Sequence, residues 1–271
     1  MMYPVTKYDN LEYKMKEFLG IGGYRREPSG AYSWQHLLFV GLLLAAMVVL
    51  AIIFGRMYRN KDVKDKNKVL IAAAILIDAF EIFKIIVMII RSDEPSTAWH
   101  NLLPLYLCSI QLITIPLAAF TKGRVKQAAL DFVLIFGILG AILGTVGAAQ
   151  NYGAYPVLSL DNVVSGITHS ISGFASLYIA ISGMTSLKKR NMPITFGILG
   201  FFCVVAYAVN KVLDTNYMFL MRDDGTPYVM LTNLVKGNSV LYAIGVIVLF
   251  VIYIALFYLA QTLIEKKKKI S

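Results

Sequence analysis

Long uncharged stretches dominate the chain. Leu37–Gly55 contains no Asp, Glu, Lys or Arg, and six further apolar runs follow it: Val69–Ile90, Asn101–Thr121, Phe132–Ala149, Val163–Leu187, Met192–Val209 and Gly237–Ile264. A helix needs about 20 such residues to cross a hydrocarbon core of about 30 Å. In lipid only helices and closed barrels satisfy their own backbone, and a barrel strand would alternate apolar and polar positions. These runs are continuously apolar. They predict an all-α membrane protein, a polytopic bundle of seven transmembrane helices over residues 35–265. Residues 1–34 form an N-terminal tail, in which Leu11, Met15, Phe18 and Leu19 have helical spacing. This tail is read either as a helix on the membrane surface or as a solvated segment. No secretory signal is expected, since no short apolar core precedes Leu37. Residues 266–271 form a basic tail.

Composition agrees. Of 271 residues, 58% are hydrophobic and 15% charged, against about 25% charged in an average soluble domain. Mean hydropathy is +0.65. Two cysteines exclude a disulfide scaffold, and His36, His100 and His169 are too far apart in the chain for a structural zinc pattern. No metal and no cofactor is expected.

The net charge of +10 acquires a meaning once it is placed. With seven spans, the loops Arg56–Lys68, Lys122–Lys126 and Lys188–Arg190 and the tail Lys266–Lys269 share one side and carry 16 basic residues. The N-terminal tail and the remaining loops carry 9. Basic residues in short loops mark the cytoplasmic face. The N-terminus is therefore expected outside and the C-terminus inside, and the charge requires no nucleic-acid partner.

Small residues recur on two spans. Gly137, Gly140, Gly144 and Gly147 form a stripe read as tight helix packing, and Gly166, Ser170 and Gly173 form another that leaves room beside His169. Ionisable residues within spans need a reason. Asp78, Glu81 and Lys84 lie at three-residue steps, on neighbouring positions of one helix face. Two readings stand: a Glu81–Lys84 pair that lowers its own insertion cost, with Asp78 bonded to another helix, or a functional polar pocket. Pro104 marks the expected start of the third helix. Cys108 would then sit one turn inside it, with Gln111 on the same side. Cys203 lacks polar neighbours and reads as a core residue. By the 1.5 Å helical rise, Cys108 and His169 both fall about 10 Å below the outer boundary, near the levels of Glu81 and Lys84. A thiol and an imidazole at one depth is what thiol acyl transfer requires.

The stretch Leu103-Pro104-Leu105-Tyr106-Leu107-Cys108, a histidine two spans later, and Asn216-Tyr217-Met218-Phe219-Leu220 together resemble the YwaF-type, transmembrane protein 164-like integral membrane family. The resemblance implies a multi-pass helical fold in the membrane, the cell membrane in a bacterium. It also implies an acyltransferase acting on glycerophospholipids, with Cys108 and His169 as the catalytic pair; passage of the acyl group to water instead of a lysolipid would make the same pair a lipase-like hydrolase. Membrane lipids, a phospholipid donor and a lysolipid acceptor, are then the expected partners. Glu81 and Lys84 are supporting residues, and Gln111, Tyr106 and Ser109 are candidate oxyanion donors. The alternative is a transporter or ion-binding protein with Asp78, Glu81, Lys84 and His169 as a polar relay. A receptor or assembly factor is a third reading. A retinal protein is excluded, because Gly237–Ile264 contains no lysine for a Schiff base.

Overall fold

The computed structural model describes residues 7–185 and 187–270. Among these residues the chain is helical throughout its ordered elements. In chain order the helices are α1 (Lys7–Leu19), α2 (Trp34–Tyr58), α3 (Val63–Arg91), α4 (Pro95–Ala98), α5 (Gln111–Phe120), α6 (Gly123–Leu143), α7 (Ala149–Ala154), α8 (Leu160–Ser182), α9 (Met192–Leu213), α10 (Val229–Leu234) and α11 (Ser239–Ile270). Residues 1–6 of the expected tail and Ser271 lie outside the described residues, as do the side chains of Lys267, Lys268 and Lys269.

Five helices among the described residues are long and apolar enough to cross a membrane: α2, α6, α8, α9 with the turn before it, and α11. The second expected span lies on α3, which has 29 residues and carries Asp78, Glu81 and Lys84. The third departs from expectation. Pro104 does not open a helix; residues 102–110 are irregular, and α5 begins only at Gln111 and lasts 10 residues. The fourth is shifted. It was expected at Phe132–Ala149, yet α6 starts at Gly123, so most of the expected loop Lys122–Lys126 is its first turn, and Lys126 is buried. The Lys126 ammonium donates to the Ala118 carbonyl at 2.6 Å and to Asn67 Oδ1 at 2.5 Å, and the chain end of α5 thereby gains a partner for its free carbonyls.

Local sequence explains the boundaries. Ser33, Asp62 and Ser159 cap the starts of α2, α3 and α8 through their side-chain oxygens. Gly183, at φ 70°, ends α8 in the left-handed region. Helix α8 is the centre of the bundle: α2, α3 and α6 pack around it, and α5 fills the space between α3 and α6. One core lies among α3, α5, α6 and α8, with Leu70, Ile77, Ile115, Val133 and Tyr178. A second joins α6 to α9, α11 and the 217–220 turn, with Phe132, Phe136, Phe202, Tyr217 and Val246. Asp131, absent from the expected spans, ties this region together: Asn191 Nδ2 and Tyr258 Oη donate to its carboxylate at 3.0 and 2.9 Å, and the Thr185 hydroxyl donates as well.

The amphipathic N-terminal pattern is a helix, α1, with Leu11 and Met15 exposed. The segment after it is strapped to the ends of α3 and α8. Arg91 donates to the Leu19 carbonyl, to Tyr24 Oη and to Asp161, and Tyr24 donates to the same carboxylate. Burial, and then the Asp161 carboxylate, push the Tyr24 phenol up to about 12.

Candidate functional site

The irregular segment 102–110 is held open by the second sequence motif. Proline at 104 supplies no N–H, and the neighbouring backbone groups find side-chain partners instead. The Leu103 N–H donates to Tyr217 Oη at 3.0 Å, and that hydroxyl donates to the His100 carbonyl at 2.5 Å. Asn210 on α9 fixes Tyr217 in turn, accepting its N–H at 2.7 Å and donating to its carbonyl at 3.0 Å. The Tyr106 ring meets the Tyr217 ring edge-on with centroids 5.0 Å apart. Met218 and Phe219 adopt φ of 56° and 55°, a conformation that costs non-glycine residues about 1–3 kcal/mol each. Asn216 stabilises this turn by accepting the N–H groups of Met221 and Arg222 and donating to Asp224. The motif that carried the family resemblance therefore braces the segment that carries Cys108.

Cys108 lies in the wall between two cavities. The first is small and polar, of about 40 Å³, and its lining includes Glu81, Lys84, Cys108, Ser109, His169 and Ser172. The second is apolar, of about 200 Å³, and is walled by Tyr106, Leu107, Cys108, Phe136, Met218 and Phe250, among others. Lys84 and Glu81 form an intrahelical ion pair at 2.7 Å, with side chains only 17% and 16% exposed. The Ser172 hydroxyl is buried and has no hydrogen-bonding partner among the described residues.

The glycine stripe of α6 shapes both walls. A Cβ at Gly144 would sit 2.2 Å from His169 Cε1, and one at Gly140 would sit 3.7 Å from the Cys108 Cβ. Gly144 packs tightly, as expected, but against the cavity's own imidazole, whereas Gly140 leaves ordinary contact distance to the Cys108 Cα and Cβ. The room beside His169 comes from Gly144 and not from the α8 stripe: Gly166 meets Leu43 and Phe39, and Gly173 meets Met47 of α2 and Ala141 of α6.

Of the residues singled out in the sequence, Cys108, His169, Glu81, Lys84 and Ser109 line the polar cavity. Tyr106 lines the apolar one. Gln111 is fully buried and lines neither; its Oε1 accepts from the Thr114 hydroxyl at 3.1 Å. Asp78 lies outside the polar cavity, so the four groups of the relay alternative are not gathered in it. Cys203 is buried with its thiol 3.9 Å from Met218 Sδ. Sequence reasoning gave Ser172 no role, read Gly144 only as helix packing, and used Tyr217 only as part of the family motif. The signal for Ser172 was its three-residue spacing from His169, which puts both on one face. Among the described residues no cluster of His, Cys, Asp and Glu could hold a metal ion.

Five helices among the described residues are long and apolar enough to cross a membrane, as in an integral, multi-pass membrane protein, and one of them, α8, lines the polar cavity. The chain belongs to the TMEM164 family, whose model matches residues 31–258. No curated protein and no solved structure matches it.

Proposed function

We propose that the protein is a membrane acyltransferase acting on glycerophospholipids, with Cys108 as nucleophile and His169 as general base and then acid. The observation that carries this reading is the position of Cys108 in a wall shared by a polar cavity containing His169 and an apolar cavity of about 200 Å³. Thiol acyl transfer needs both: a proton acceptor beside the sulfur and an apolar space for the chain. In the first half-reaction Cys108 Sγ attacks the ester carbonyl carbon while His169 takes the thiol proton. The tetrahedral intermediate expels the lysolipid alkoxide, which receives that proton from His169, and an acyl thioester remains. In the second half-reaction His169 deprotonates a lysolipid hydroxyl, which attacks the thioester and returns the thiol. The unpartnered Ser172 hydroxyl, with Ser109, supplies hydrogen-bond donation to the oxyanion. The Glu81–Lys84 pair sets the charge of the cavity wall.

Seven crossings belong to the same proposal, with the N-terminus outside and the C-terminus inside. Helix α3 spans about 43 Å at the helical rise, more than the hydrocarbon core, and its Glu81–Lys84 pair lowers the cost of charge. The irregular segment with α5 is the remaining crossing. Non-helical backbone at membrane depth is tolerated where it is buried in protein or lines a cavity, and residues 106–109 line these two. A cysteine replacing exposed Lys189 should resist an impermeant thiol reagent applied to intact cells; labelling from outside would reverse the orientation.

The function is tested by incubating purified protein with phospholipid and lysolipid and comparing lipid profiles with Cys108→Ala. Loss of acyl exchange in the variant is expected. Exchange unchanged in Cys108→Ala would refute the thiol mechanism. Ion flux that survives Cys108→Ser and fails in Glu81→Gln would favour the relay instead.

A further inference from the structure

A second polar feature lies at the other end of α6, about 30 Å from Gly144 by the helical rise. Lys122, Arg124, Lys126, Lys188 and Arg190 line one cleft of about 550 Å³, and among the described residues no acidic one lines it. Among the described residues none of these five cations pairs with a carboxylate. Arg124 Nη2 donates to the Arg190 carbonyl at 2.7 Å, which keeps two like-charged residues in the same place. Lys126 is buried, and its ammonium meets only neutral partners, the Ala118 carbonyl and Asn67 Oδ1. The cleft also contains the start of α6. Lys122, at the N-cap position, makes no side-chain cap, so the opening N–H groups lack the usual acceptor. Around Gly123, at φ 65°, nothing lies within 4 Å of where a Cβ would stand. A topology signal requires only a count of cations near a helix end. It requires neither their convergence on a cleft nor the burial of one of them.

We propose that this cleft binds a phosphate group, and that its source is the headgroup of an anionic phospholipid at the membrane surface. Like-charge repulsion among the five residues, the uncapped helix start and the open volume are all relieved by one anion with several acceptor oxygens. The cleft sits where α5 ends and α6 begins, at a junction between two apolar helices, so a lipid phosphate reaches it without leaving the interface. The site is independent of the chemistry assigned to Cys108.

The test uses the full chain in detergent, with phosphatidylglycerol, phosphatidylcholine and inorganic phosphate as separate probes and native mass spectrometry and melting temperature as readouts. Phosphatidylglycerol should be retained over phosphatidylcholine. Each cation removed should weaken retention about fivefold, so Arg124→Gln with Arg190→Gln should cost about 25-fold. Lys61→Gln with Lys64→Gln, two exposed cations outside the cleft, should change little. If the double arginine variant fails to fold, Lys188→Gln, with its fivefold loss, carries the measurement. Stabilisation by inorganic phosphate equal to that by phosphatidylglycerol would retain the phosphate site and overturn the lipid source. Equal retention of both lipids, or equal losses in the cleft and control variants, would overturn the proposal.

Discussion

Replacing Gly144 by alanine tests the site at its narrowest point. The added Cβ would stand 2.2 Å from His169 Cε1 and 2.3 Å from both ring nitrogens. Carbon atoms in contact rest about 3.5–4.0 Å apart, so the imidazole would have to retreat by roughly 1.3 Å or more. Overpacking of this kind costs about 1–3 kcal/mol. Alanine in place of glycine at a helix end returns up to about 1 kcal/mol, so folding should survive with a small loss. Displacement of about 1 Å in a reacting group costs on the order of 100-fold in rate. Gly140→Ala is the internal control. Its Cβ would meet the Cys108 Cβ at 3.7 Å and Ser172 Oγ at 4.0 Å, ordinary contacts that require no movement. The assay is acyl exchange between phospholipid and lysolipid, run beside the rate of Cys108 alkylation by a chloroacetamide and a thermal melt. Gly144→Ala should lose about 100-fold in exchange and slow alkylation, while Gly140→Ala stays within a few fold of the parent. Parent-like exchange and alkylation in a folded Gly144→Ala protein would refute the placing of His169 in the chemistry.

Tyr217→Phe removes the hydroxyl shared by Leu103 N–H and the His100 carbonyl. Leaving those groups unpaired should cost about 1–3 kcal/mol in a denaturation series and alter Cys108 alkylation, and an unchanged melt would show that the hydroxyl does not brace the segment. Glu81→Leu with Lys84→Leu should be better tolerated than Lys84→Leu alone, which strands a carboxylate. A double variant that melts below the single one would count against simple pairing. Glu17 accepts the backbone N–H groups of Arg25 and Arg26, with the Arg26 amide the strongest influence, and its carboxyl is held below the ordinary carboxylate value. The stability it adds to the N-terminal strap is complete above pH 4.5 and lost as pH falls through the lowered value. Hydrogen exchange at those two amides should therefore accelerate on acidification below pH 4.5 in the parent, beyond the intrinsic pH dependence, and not in Glu17→Gln.

The sequence by itself determined the class of protein, because continuous apolar runs leave the backbone no choice in lipid but the helix. It also singled out Cys108, His169, Glu81 and Lys84, which the fold gathers on one cavity, although the helical rise that set their expected depth does not apply to Cys108, which lies in the irregular segment before α5. Periodicity reports only what repeats along one element, and the irregular segment 102–110 has no period. Its shape was decided by Tyr217, more than a hundred residues away, whose hydroxyl replaces helical hydrogen bonds. The glycines illustrate the same division. Their spacing along and just beyond α6 announced a close approach, but only tertiary packing decided that Gly144 faces His169, Gly140 faces Cys108, and Gly137 faces Ser172 and Ser176. The α8 glycines, equally regular, pack instead against α2 and Ala141. The charges divide likewise. Composition and order gave their sum and their bias along the chain, whereas burial of Lys126 and convergence of five cations on one cleft required the start of α6 to lie nine residues earlier than its apolar pattern suggested. A charged first turn can be helical when distant partners satisfy its side chains, and those partners are set by the fold.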